Sequence, residues 1–101
     1  MMFRKLYWVT ESLDSKGRSK VTGVYTSIPD LLRYGIAHQE KAFRLTLTKL
    51  DSDHDPLGSW SSPEFDGLAD ALKEFVRTEE FSEEHCNDLI CAVGKRVAFA
   101  A

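Results

Sequence analysis

The chain has little of what usually marks a named chemistry. Only two cysteines, Cys86 and Cys91, stand among its 101 residues. They are too few and too close in sequence for the disulfide framework of a small secreted domain. On a helix, two side chains five positions apart diverge by about 140°, which also disfavours a bridge. Both read as reduced thiols, with Cys86 as a small core hydrophobe, and the expected home is the cytoplasm. Nowhere does an apolar run reach the roughly 18 residues that a membrane span needs. No apolar h-region follows Arg4 and Lys5, so a signal peptide is not expected.

Catalytic frames are missing as well. There is no G-x-S-x-G, phosphate-binding loop, dinucleotide fingerprint or H-E-x-x-H. Val93-Gly94-Lys95-Arg96 has a glycine-lysine pair but lacks the second glycine and the Ser/Thr of a phosphate loop. His38, His54 and His85 stand beside no recognisable nucleophile. A domain of two packed layers at this length leaves little room for a deep pocket. The chain therefore reads as non-enzymatic and cofactor-free, and a small enzyme or metal-binding domain ranks third among its functions.

What is present is an ordinary globular composition, 43% apolar and 29% charged, at the common size of one domain. Residues 3–13 are rich in aromatic and β-branched types, as strands prefer. A polar turn containing Gly17 leads to a returning strand over 20–26, so the first unit is a β-hairpin. Ser27-Ile28-Pro29-Asp30 has the serine, proline and acid of a helix start, and Gly35 is the expected stop. Over residues 42–50, Phe43, Leu45 and Leu47 fall on one face while Arg44, Thr46 and Thr48 fall on the other. Leu57-Gly58-Ser59-Trp60 returns as a short edge strand.

Ser61-Ser62-Pro63-Glu64 repeats the start signal and opens a second helix. Its apolar stripe is Phe65, Leu68, Ala69, Leu72, Phe75 and Val76. Ser82 caps a third helix with the stripe Cys86, Leu89, Ile90 and Val93, and Gly94 is its expected end. Residues 95–101 read equally as a strand or a helical extension. The order β-β-α-β-(β)-α-α predicts a single α+β domain over 1–101: a two-layer sandwich whose mostly antiparallel sheet, of three to four strands, carries about three helices on one face.

Charge divides along the chain. Residues 1–50 hold nine Lys/Arg against four Asp/Glu, and residues 51–88 hold two against twelve. A basic sheet half and an acidic helical half either neutralise one another within the fold or between copies, or address different partners.

Three clusters compete as sites. Asp51, Asp53 and Asp55 give the alternating carboxylates of a calcium loop, but Pro56 stands where the loop needs glycine and Ser62 where it needs glutamate. His85, Cys86, Asp88 and Cys91 look like metal ligands yet lack the paired spacing of a zinc site. Lys16, Arg18 and Lys20 on the hairpin, near Tyr7, Trp8 and Tyr25, could hold a nucleic-acid backbone while the rings stack bases, although a pI near 5.5 disfavours it. The leading reading is a protein-interaction or self-association module, a homodimer being the simplest case. Its expected surface is the outer sheet face: Trp8 (or Tyr7, its neighbour), Arg44, Thr46 and Thr48.

Overall fold

The period-two alternation of apolar and polar residues sets the sheet. The computed structural model describes residues 6–16, 18–37, 39, 42–49, 57–62 and 64–94, and the backbone of 95–100. Strands β1 (Leu6–Leu13), β2 (Ser19–Tyr25), β3 (Phe43–Lys49) and β4 (Gly58–Ser61) form one antiparallel sheet. The strand order is β2-β1-β3-β4. The hairpin β1–β2 is thus flanked by β3, which returns antiparallel to β1. With the three helical segments this gives the β-β-α-β-β-α-α order of a mixed α+β fold.

Helix α1 starts at Ile28–Asp30 and continues as a π-helical stretch, Leu31–Ile36. Ser27 Oγ accepts a hydrogen bond from the Asp30 amide at 3.3 Å, the capping role its position implied. Gly35 does not stop the helix, which runs through it to Ile36. Its smallness serves close packing instead: a Cβ there would lie 2.8 Å from Tyr25 Cε2 and 3.3 Å from Thr10 Cγ2.

Helix α2 spans Leu68–Arg77 and begins only four residues after the last residue of the Ser-Ser-Pro-Glu signal. Ser62 is spent elsewhere. Its Oγ accepts from the Phe43 amide at 3.1 Å and its own amide donates to the Phe43 carbonyl at 2.9 Å, which extends the β3–β4 pairing. The chain then reverses through Phe65 at φ 48 and Gly67 at φ 85, and Gly67 precedes the first helical residue. Glycine takes that left-handed conformation at no steric cost.

Helix α3 spans Glu83–Ala100. The Ser82 hydroxyl accepts from the His85 amide at 3.2 Å, the cap its position implied. Gly94 lies inside the helix, so the tail is a helical extension rather than a strand. Among the described residues nothing outside the helix's own backbone lies within 4 Å of a Cβ built at Gly94.

The core takes its sheet residues from one face only: Leu6, Trp8, Phe43, Leu45, Leu47 and Trp60. The helices and the turn before α2 supply the opposite wall, including Leu31, Ile36, Phe65, Leu72, Cys86 and Leu89. Rings connect the two walls. Trp8 stacks near Phe81, which joins α2 to α3, with centroids 5.6 Å apart, and Phe43 meets Phe65 at 5.1 Å. The one buried polar side chain of the sheet, Thr10, is satisfied by Thr22, their hydroxyl oxygens being 2.9 Å apart.

Candidate interaction surface

Strand phase decides which residues can meet a partner. Trp8, expected on the outer face, is wholly buried, with 0% exposure. It shares the phase of Leu6 and Thr10, so it joins the core and packs 6.2 Å from Trp60. Tyr7, one residue earlier, takes the outer face in its place, half-buried opposite Thr48. The adjacency of two aromatics leaves the phase of β1 open; the burial of its neighbours decides it.

Arg44, Thr46 and Thr48 do lie on the outer face, all half-buried. Two of them are already engaged. Arg44 Nε donates to Glu11 Oε1 at 3.1 Å and its Nη2 to Glu11 Oε2 at 2.8 Å. Nη2 also reaches Ser19 Oγ at 3.2 Å. Thr46 Oγ1 donates to Glu11 Oε1 at 3.3 Å and lies 3.3 Å from Ser59 Oγ. The Arg44 guanidinium, followed by Ser19 and Thr46, holds the Glu11 carboxyl below its ordinary range against the opposing effect of desolvation. The centre of the outer face is thus a charge-neutral polar network that runs from β2 to β4.

The apolar part of the face lies beside that network, on the edge strand. Val24 pairs with Val9 and Val21 with Glu11, because Thr22 is the extra residue of a bulge between them. Both valines therefore point outward, and they are 57% and 56% exposed. Tyr7 and Val9 on β1 continue the patch. The bulge is what the sequence conceals, since strict alternation through residues 20–26 would put Val21 and Val24 on opposite faces.

The hairpin cations are exposed as expected, but they do not form one stacking platform with the aromatics. Arg18 Nε binds Asp14 Oδ2 at 2.9 Å. Asp14 Oδ1 also accepts from the Lys16 and Arg18 amides, bonds that close the turn and hold the Asp14 carboxyl below its ordinary range. Lys16 and Lys20 remain open to solvent. Of the three aromatics, Trp8 faces the core and Tyr25 packs over the buried Gly35. Only Tyr7 lies outside.

The metal candidates fare differently. Asp51, Asp53 and Asp55 lie outside the described residues. On α3, Cys86 is buried while His85, Asp88 and Cys91 are exposed. Burial raises the Cys86 thiol above its ordinary range, as suits a core residue. Among the described residues no group of three His, Cys, Asp or Glu side chains is placed to hold a metal. No described helix is long and apolar enough to cross a membrane.

These elements define a mixed α+β domain with one sheet face packed and, among the described residues, no helix over the other. No protein-family model matches the chain, and no curated protein or solved structure matches it either.

Proposed function

We propose that this chain is a non-enzymatic self-association module of the cytoplasm, and that the outer face of its sheet is the contact surface. The observation that carries the reading is the exposed pair Val21 and Val24 beside Val9 and Tyr7, on a face whose ionic groups, Glu11 and Arg44, neutralise one another. A face without uncompensated charge can meet a copy of the same chain without like-charge repulsion. Exposed apolar side chains next to a satisfied polar network are the composition of a contact patch. Arg44 and Thr46 act there as a rigid polar floor, and the valines and Tyr7 make the contact.

The patch is small, so the association is reversible and depends on concentration. Light scattering on a sizing column tests this with wild type and Val24→Asp, compared at equal concentration and with matched circular dichroism. Wild type is expected above the single-chain mass of 11.4 kDa, and the variant at it. Equal monomeric masses for both would sink the reading.

A further inference from the structure

The two ends of the hairpin force one extra residue into β2. At the turn, the Asp14 amide donates to the Arg18 carbonyl at 3.0 Å, and further along the strands Thr10 pairs with Gly23. From Thr10 to Asp14 the chain advances four residues, and from Arg18 to Gly23 it advances five. One residue of β2 is therefore left without a partner, but the ends do not dictate which. Here it is Thr22, since Glu11 pairs with Val21.

The position of that residue decides where the valines point. Any placement nearer the turn would pair Thr22 with Glu11 and turn its side chain to the outer face. With the extra residue at Ser19 or Lys20, Val21 would pair with Ser12 and turn to the packed side. The exposed pair Val21 and Val24 would then be broken.

Two hydroxyls favour the observed placement. Thr10 is wholly buried, so its hydroxyl has no water to turn to. Thr22 Oγ1 lies 2.9 Å from Thr10 Oγ1 and donates to the Thr10 carbonyl at 3.2 Å. It also accepts from Gln39 Nε2 at 3.3 Å, which ties it to the segment after α1. With Thr22 turned outward, the Thr10 hydroxyl would keep only the Gly23 carbonyl at 3.5 Å among the described residues. Leaving a buried hydroxyl short of a partner costs free energy, and a bulge is a means of re-aiming side chains.

We infer that the Thr10–Thr22 hydroxyl pair pins the bulge and thereby sets Val21 and Val24 together on the contact face. Both threonines are positioning residues: they act through the valines and touch no partner themselves. Their purpose rests on the self-association reading, whereas the pinning is measurable without it.

Thr10→Val removes the buried hydroxyl and keeps its shape, and Thr22→Val removes its partner at an exposed position. In each, the cross-strand nuclear Overhauser contact between Glu11 and Val21 is expected to fade, and one between Glu11 and position 22 to appear. Self-association is expected to weaken about tenfold, as the loss of one half-exposed valine from the contact implies. Thr22→Ser keeps the hydroxyl and is expected to keep the wild-type register and mass. A Glu11–Val21 contact that survives in both valine variants would overturn the pinning, whatever the mass does. A shifted register with unchanged self-association would overturn its link to the contact face. If wild type is a single chain at every concentration, the self-association reading falls, and the register of the variants still decides the pinning.

Discussion

Glu11 and Arg44 stand directly opposite each other on β1 and β3, joined by two near-parallel hydrogen bonds of 3.1 and 2.8 Å. The pair is partly shielded, Glu11 more than Arg44, and it anchors the polar network of the outer face. A bidentate guanidinium–carboxylate pair fixes register as well as adding energy. It ties the middle strands together on the side where no described helix packs.

This pair makes stability depend on pH in a defined direction. The folded-state pKa of Glu11 lies below its ordinary value of 4.5. Its contribution is therefore fully present above pH 4.5 and is lost as pH falls through the lower folded-state value. Glu11→Gln is expected to cost about 1 kcal/mol at neutral pH. The cost should shrink toward zero in acid, where the wild-type carboxyl is also protonated. Urea unfolding of both proteins at neutral and acidic pH checks this, and a difference that persists unchanged in acid would assign the effect to packing instead.

Trp8 carries the centre of the core, so Trp8→Ala is expected to cost about 3–5 kcal/mol and to leave a domain at the margin of folding. Its indole Nε1 is buried with no hydrogen-bond partner among the described residues. Trp8→Phe removes that orphan donor along with some volume, and the two effects partly offset. The expected loss is about 1–2 kcal/mol, measured by denaturant midpoint.

Gly35→Ala should reverse its usual helical effect. Alanine is the better helix former by about 1 kcal/mol, but its Cβ would meet the Tyr25 ring and the Thr10 methyl. The crowding is expected to outweigh propensity and cost about 1–3 kcal/mol. Tyr25→Leu in the same chain removes the nearer obstacle and should recover part of the loss. Thermal melts of the two single variants and the double give the coupling directly.

Ser62→Ala tests the strand role of a residue that lies inside the Ser-Ser-Pro-Glu start signal. The hydroxyl both accepts from the Phe43 amide and donates to the Phe43 carbonyl, each at 3.1 Å. Its removal is expected to cost about 1 kcal/mol. Hydrogen exchange should quicken at the Phe43 amide while α2 amides stay unchanged; faster exchange at the start of α2 would restore the capping role.

How far the sequence reveals the molecule depends on the kind of signal. Strand β3 is legible because Phe43, Leu45 and Leu47 alternate without interruption, and the order of elements follows from such periods. The helix ends are not. Gly35 and Gly94 carry the composition of a stop but sit inside helices: Gly35 serves the close approach of Tyr25, and an exposed helical glycine such as Gly94 costs only about 1 kcal/mol against alanine. Ser61-Ser62-Pro63-Glu64 mimics a helix start because a serine hydroxyl, here that of Ser62, also closes a strand pair. The outer face is half legible. Arg44 and Thr46 follow from phase, whereas Glu11 as their partner depends on register, and the exposed pair Val21 and Val24 on a bulge at Thr22. Neither register nor bulge leaves a local trace in composition.

Residue-resolved amide NMR across a dilution series tests the central claim most directly. On dilution from millimolar protein, the account predicts that amides of Tyr7, Val9, Val21 and Val24 on the outer sheet face shift together. The buried centre around Leu45 should stay still. Spectra that do not change with concentration, or shifts confined to other surfaces, would contradict it.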